Sequence, residues 1–274
     1  MSTRLIPLRY PGSCVRCGEL QPARTKAYFD DDRRSVTCLN CGASVTDALP
    51  DAPLPIDHGT AGASPMKEYQ RRAAKREQQI DERWGRLAPV VKFVSSEPQS
   101  TTAWRQGADG EERLGRFLDR ELAGHATMLH SRRVPGKRSD IDHIVIASSG
   151  VWVIDAKNCT GKVEARDVGN WRTRDMHLFV NGRDQQKLVD GTAWQVQAVR
   201  SALESVGLAD VPIHPVLCFT NSDWGLFSKG ITIGGVRVLW GKKLRELVLQ
   251  PGSLDPDTCV NIAQVLSVRL PAAG

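Results

Sequence analysis

The stretch Asp140-Ile141-Asp142-His143-Ile144-Val145-Ile146-Ala147-Ser148-Ser149-Gly150-Val151-Trp152-Val153-Ile154-Asp155-Ala156-Lys157 decides the fold. Two short β-branched runs, 141–147 and 151–156, flank Ser148-Ser149-Gly150, a hairpin signal. Both faces of each run are apolar, so the sheet they enter is expected to be covered on both sides. Side chains alternate along a strand, which puts Asp155 and Lys157 on one face and Ala156 on the other. Charges at the end of the apolar run 151–154 are costly unless compensated, and a divalent cation compensates them. If the connection is the four residues 147–150, Ile146 pairs with Val151, Ile144 with Val153 and Asp142 with Asp155. The Cβ atoms of such opposed residues lie about 4.5–5.5 Å apart. Two carboxylates that close repel unless protonated or bridged, and Mg²⁺ or Mn²⁺ prefers such oxygen ligands. With a three-residue connection Asp142 opposes Ala156 instead, and the carboxylates part to opposite faces.

Upstream, 111–122 reads as a helix with Leu114, Phe117, Leu118 and Leu122 at three- and four-residue spacing. Glu111 precedes Leu114 and Leu118 by three and seven residues, so it projects toward the sheet, whereas Glu112 aligns with Gly115, Arg116 and Asp119 on the exposed side. Downstream, Asn181-Gly182 marks a turn after 176–180. A second helix spans 194–206, where Gln195 shares a face with Val199 and Ala202 and points in, while Gln197 points out. Strands at 215–220 and 236–240 and helices at 242–249 and 256–268 complete the pattern. Taken singly, Glu111 also reads as a charge at the positive end of a helix dipole, and Gln195 as a helix-edge amide.

The N-terminal part is of another kind. Cys14-Val15-Arg16-Cys17 and Cys38-Leu39-Asn40-Cys41 are separated by twenty residues, and each pair is followed at once by a glycine, Gly18 or Gly42. Two such knuckles supply the four soft ligands of a tetrahedral Zn²⁺ site and leave no position open for a catalytic water. Glycine suits the residue after the second cysteine, where the backbone commonly takes positive φ. Lys26-Ala27-Tyr28-Phe29 and Ser35-Val36-Thr37 read as two strands turned at Asp30-Asp31-Asp32. The segment 10–45 resembles the zinc-ribbon family, with Cys14, Cys17, Cys38 and Cys41 as structural zinc ligands. The bland alternative is a chance cluster of thiols. Cys159, Cys218 and Cys259 read as core or surface thiols, Cys159 lying two residues past Lys157.

Of 274 residues, 41% are hydrophobic and 25% charged, an ordinary globular balance that excludes wholesale disorder, collagen and a disulfide-dense scaffold. No run approaches the ~18 apolar residues of a membrane-spanning helix, and the first ten residues do not read as a signal peptide. The simplest expectation is therefore a cytoplasmic protein, in which seven cysteines, an odd number, argue against a disulfide framework and for metal ligation or free buried thiols. Lys plus Arg is 37 against 31 Asp plus Glu, a net charge of +6 that favours polyanionic partners, nucleic acid first. Part of that excess lies in 66–92, a charged helical segment with eight Lys/Arg and four Asp/Glu that reads either as a phosphate-holding arm or as a solvated face. Arg132, Arg133, Lys137 and Arg138, just ahead of Asp142, read as substrate-guiding cations.

Gly107-Ala108-Asp109-Gly110-Glu111, Ile141-Asp142-His143-Ile144-Val145-Ile146, and Gly150-Val151-Trp152-Val153-Ile154-Asp155-Ala156-Lys157-Asn158 with Gly161 together resemble the nuclease-related domain NERD, a branch of the PD-(D/E)xK, restriction-endonuclease-like superfamily. The resemblance covers about 104–250, and Trp171 and the Gln195 helix fit it. Asp155 stands where NERD sequences more often have Glu. Gly191-Thr192 stands where Asn-Pro often precedes the glutamine helix. The resemblance implies an α/β fold: a restriction-endonuclease-like mixed β-sheet flanked by helices, here preceded by a small β zinc ribbon and a charged helical linker. It also implies phosphodiester hydrolysis, with Asp142, Asp155 and the Ala156 carbonyl holding Mg²⁺ or Mn²⁺ and Glu111 as a further or water-mediated ligand. Lys157 would serve the attacking water and the transition state, and Gln195 would orient the lysine, the water or a phosphate.

The chain is accordingly divided into a zinc ribbon at 10–45, a Pro/Ala-rich linker at 46–65, a charged basic helix at 66–92, a nuclease-like domain at 104–250 and a C-terminal helical extension at 251–274. The leading expectation is a metal-dependent nuclease acting on DNA before RNA, its ribbon and basic helix aiding nucleic-acid binding. The alternative is a catalytically inactive nucleic-acid-binding or protein-interaction module on the same fold, the ribbon offering a surface for a protein partner.

Overall fold

The computed structural model describes residues 3–15, 18–30, 35–39, 55–85, 99–137, 139–224 and 229–273. These fall into two compact units, Met1–Leu54 and Pro55–Gly274.

In the first unit, β4 (Lys26–Asp30) is the middle strand of a small antiparallel sheet, paired with β1 (Thr3–Pro7) on one side and β5 (Ser35–Thr37) on the other. The β4–β5 ribbon follows the sequence expectation, while β1 adds an edge that no local signal marks. Two shorter strands, β2 (Gly12–Ser13) and β3 (Leu20–Gln21), pair around the first cysteine knuckle. There the Cys14 N–H donates to the Glu19 carbonyl (2.9 Å) and the Gly18 N–H to the Cys14 carbonyl (2.8 Å). Gly18 sits at φ +73°, the left-handed turn that glycine adopts without cost. Cys14 and Cys38 are both buried. Cys17, Cys41 and Gly42 lie outside the described residues.

The second unit is a mixed six-stranded sheet flanked by helices. Two helices lead into it, α1 (Ala63–Trp84) and α2 (Gln99–Glu121), packed on each other. Next come β6 (Thr127–Arg133), β7 (Asp140–Ala147) and β8 (Gly150–Lys157), then β9 (Val163–Asp167), β10 (Met176–Val180) and β11 (Arg183–Asp184), which form a separate three-stranded antiparallel sheet. The short α3 (Gln186–Asp190) and α4 (Ala193–Glu204) return the chain to β12 (Ile213–Phe219), followed by β13 (Ile231–Ile233), β14 (Val236–Leu239), α5 (Gly241–Val248) and α6 (Pro256–Arg269). The large sheet has the order β13-β14-β12-β8-β7-β6, with β8, β12 and β14 parallel. Parallel strands require cover on both faces. One face is covered by α2 and α5, with Leu114, Leu118, Leu122, Leu244 and Val248 packed on Val145, Trp152 and Ile154. On the other, Leu217, Phe219 and Val238 meet Val163, Leu178 and Val180 of the small sheet, while α4 and α6 pack on each other and on the central strands.

The β7–β8 hairpin pairs Ile146 with Val151, Ile144 with Val153 and His143 with Ile154, the register of the 147–150 connection. The ladder ends there, one step short of Asp142 and Asp155, and both carboxylates line the same cleft.

Residues 55–62, which the sequence places in a linker, run along β6 within the second unit. Asp57 N–H donates to Ser267 Oγ (3.1 Å), His130 N–H to the His58 carbonyl (2.7 Å), and Ser131 Oγ to the Thr60 carbonyl (2.8 Å). Arg132 belongs to this arrangement, which corrects its reading as a substrate-guiding cation. It is fully buried and donates to the carbonyls of Leu270 (2.6 Å), Asp57 (2.8 Å) and Ser267 (2.9 Å), so its guanidinium fastens the strap to the C-terminal helix and cannot reach a phosphate. Arg133 and Lys137 remain exposed, and Arg138 lies outside the described residues. The basic helix begins at Ala63 and ends at Trp84, against 66–92 expected for the charged segment; 86–98 lie outside the described residues.

Candidate active site

A cleft of 370 Å³ opens at the carboxyl end of β8, the edge of a parallel sheet where ligands commonly bind. Glu111, Asp142, Asp155, Lys157 and Gln195 all line it. They come from four elements: α2, β7, β8 and α4. Gly110 makes the approach of α2 possible. A Cβ there would stand 2.6 Å from Cβ of Asn158, so only glycine lets the helix pass the end of β8 and deliver Glu111. Asn158 then ties the two together, its Nδ2 donating to the Gln106 carbonyl at 2.8 Å.

At the floor, Asp142 Oδ2 accepts the Ala156 N–H at 2.8 Å. Asp155, 8% exposed, is in contact with the Lys157 ammonium through Oδ1. Ala156, whose carbonyl the sequence suggests as a ligand, shows its amide in use. Gln195 is 6% exposed and its Oε1 has no hydrogen-bond partner, an acceptor left over in a cleft of cations and acids. Gln197 is exposed, as the helical phase requires.

The electrostatics follow from this crowding. Burial pushes the Glu111 carboxyl up to about 8; Lys157 opposes the shift, and Asp155 and Asp140 add to it. Asp142 is raised well above the usual carboxylate range, by burial first and then by Glu111 and Asp155. For Lys157 burial works against the ammonium, but Asp155, Asp142 and Glu111 outweigh it and hold the pKa above the ordinary lysine value. The cleft therefore carries more acid than it can ionise with one lysine.

That surplus matches a hard divalent cation in kind, since such ions take carboxylate oxygens and would offset the repulsion. Among the described residues, no three His, Cys, Asp or Glu side chains stand close enough to form a ligand shell. One oxygen of Asp155 is engaged by Lys157 and one of Asp142 by the Ala156 amide. The donor set fits the ion chemically.

Several cleft residues carry no local sequence signal. Ser64 and Pro65 of α1 line it, Ser64 Oγ donating to Asp140 Oδ2. Trp104, Lys187 and Trp194 line it as well. Trp104 precedes Glu111 by seven residues, two turns along the same helix face, a spacing that could have marked it. His143, next to Asp142, turns away: it is fully buried and its Nδ1 meets Nδ1 of His130 at 2.8 Å, while His130 Nε2 meets Asp119 Oδ1 at 3.0 Å.

Residues 106–220 match the family model of the nuclease-related domain, NERD. That stretch of the chain is similar to nuclease-related domains. The matched span holds all five of the cleft residues named first, while Ser64, Pro65 and Trp104 come from outside it. Neither a curated protein nor a solved structure matches the chain. No helix among the described residues is long and apolar enough to cross a membrane.

Proposed function

We propose that this protein is a Mg²⁺- or Mn²⁺-dependent nuclease that hydrolyses phosphodiester bonds, of DNA before RNA. The observation that carries this reading is the convergence of Glu111, Asp142, Asp155, Lys157 and Gln195 from four elements on one cleft. Asp142, Asp155 and the Ala156 carbonyl would hold the cation, with Glu111 as a further or water-mediated ligand. The ion, when bound, supplies a water of lowered pKa and positive charge beside the phosphate.

Lys157 is best suited to act as a cation: its raised pKa keeps the ammonium charged at neutral pH, where it offsets the negative charge gathering on the phosphate in the transition state. Glu111, at about 8, keeps its proton near neutrality until positive charge arrives nearby. As a carboxylate it then accepts a hydrogen bond from the attacking water. Gln195 offers its unpartnered Oε1 to the Lys157 ammonium or to that water and so orients them. Arg133, Lys137 and Arg138, with the basic α1, would hold flanking phosphates without regard to sequence. Cys14, Cys17, Cys38 and Cys41 would hold a structural Zn²⁺ that supports a second contact with nucleic acid or with a protein partner.

One observation favours a second reading, a nucleic-acid binder that does not cut: the Lys157 ammonium already neutralises Asp155, as a structural ion pair would. Incubating the protein and its Asp155→Ala variant with labelled DNA and RNA in Mg²⁺, Mn²⁺ or EDTA separates the two. Cleavage that needs metal and vanishes in the variant supports the nuclease. Salt-sensitive binding without cleavage under any condition supports the binder.

A further inference from the structure

The cleft holds more than the groups needed for hydrolysis. Two tryptophans from different helices line it: Trp104 on α2, two turns before Glu111, and Trp194 on α4, immediately before Gln195. Lys187, exposed on α3, adds a cation on the same side as Trp194 in sequence. Trp104 is 39% exposed, and the Arg72 guanidinium sits over its ring at 5.3 Å from the centroid, holding the indole in place from one side. Ser64 and Pro65 of α1 line the cleft as well.

Large aromatic rings at the mouth of an acidic, metal-type site have little to gain from the sugar–phosphate surface of a duplex, whose bases are stacked and paired. They gain from a base that has been freed, because every base offers a π-face to a tryptophan. Size agrees. At 370 Å³ the cleft is at the low end of the ~300–1,000 Å³ range of pockets that enclose one small ligand, room for a single nucleotide and not for a base pair.

We infer that the cleft takes an unpaired nucleotide, its base stacked on Trp194 or Trp104 and its phosphate met by Lys187 and Lys157, so that the substrate class is a single strand. This rests on the nuclease reading for its reaction, but not for its binding. Trp194 lies within the matched span 106–220, and Trp104 two residues before it.

The test measures binding and cutting separately. Binding of a labelled fifteen-nucleotide oligo-dT and of a duplex of equal length is followed by fluorescence anisotropy in EDTA, for the full-length protein, Trp194→Ala, Trp194→Phe and Trp104→Ala. The single strand is expected to bind at least about tenfold tighter than the duplex, and Trp194→Ala to weaken it about tenfold, in line with the loss of one stacked base. Duplex binding should stay within about twofold, and Phe should recover most of the loss because its ring still stacks. Should Trp194→Ala fail to fold, Trp104→Ala and quenching of the wild-type tryptophan fluorescence by the single strand but not by the duplex decide the matter. Duplex bound as tightly as single strand, or tryptophan variants that lower both equally, overturns the inference. Cleavage in Mn²⁺ then keeps the two claims apart. Duplex cut as fast as single strand overturns the inference and leaves the nuclease. A single strand bound through the tryptophans yet never cut overturns the nuclease and leaves the inference.

Discussion

Asp142 Oδ2 accepts the N–H of Ala156 at 2.8 Å, joining residues fourteen apart in the chain just where the β7–β8 ladder ends. The bond extends the hairpin register by a side chain, so Asp142 has a structural task as well as a chemical one. It occupies one carboxylate oxygen and leaves the other for a ligand.

Two substitutions separate those tasks. Asp142→Asn keeps an acceptor for the amide but removes a carboxyl whose ionised form is disfavoured by burial first and then by Glu111 and Asp155. It is expected to melt at or above the wild-type temperature while losing metal-dependent cleavage by about 10²-fold or more. Asp142→Leu also strands the Ala156 N–H, and unfolding by urea should show a cost of about 1–3 kcal/mol. An Asn variant that cuts at the wild-type rate would remove Asp142 from the chemistry.

Glu111 gives the metal-free protein a pH dependence of definite sign. Its carboxyl holds the proton up to about 8 when folded, against 4.5 as the ordinary value. The folded state thus binds more protons than the unfolded one across that window, and stability falls as pH rises from about 4.5 to about 8. Thermal melts in EDTA should decline over this range, and Glu111→Gln should flatten the decline. Mn²⁺ should raise the melting temperature more at pH 8 than at pH 5, since the ion favours the ionised form. A melting temperature that rises toward pH 8 without metal would contradict this.

Arg132 and its neighbours should divide cleanly. Arg132→Leu leaves the carbonyls of Leu270, Asp57 and Ser267 without their donor in a buried setting, at a cost of about 1–3 kcal/mol for each one left unsatisfied. Arg133→Ala and Lys137→Ala, on exposed side chains, should leave the melting temperature alone and each reduce the slope of log affinity against log salt by about 1. Loss of binding without loss of stability in Arg132→Leu would reverse the assignment.

The ribbon is tested by metal content. Protein purified without added metal should carry one zinc per chain by atomic emission, and Cys14→Ser or Cys38→Ser should lose it. Since no catalytic group is drawn from 10–45, cleavage of a short strand at saturating concentration should persist, with the affinity reduced. Wild-type protein free of zinc would remove the site.

What the sequence made legible was short in range. The runs 141–147 and 151–156 announced the hairpin because β-branched residues and a Ser-Ser-Gly turn act locally. Once the register is set, Asp142 and Asp155 follow from it. Glu111 and Gln195 were legible from helical phase. What stayed hidden depends on contacts distant in sequence. Arg132 looks like any surface arginine until the strap 55–62 and the end of α6 close over it, 75 to 138 residues away. Ser64 and Lys187 reach the cleft only because α1 packs on α2 and because the small β9–β11 sheet positions α3. Strand β1 needs β4 as a partner and carries no alternation strong enough to announce itself.

The nuclease reading depends on the carboxylates of Glu111, Asp142 and Asp155 acting as one cation site, and titration calorimetry of the EDTA-stripped, zinc-retaining protein with Mn²⁺ near pH 7.5 tests this most directly. Saturable binding at the cleft, with release of a proton as Glu111 ionises, and loss of both signals in Asp155→Ala, is the expected result. Absence of saturable binding, or binding that Asp155→Ala leaves unchanged, would contradict it.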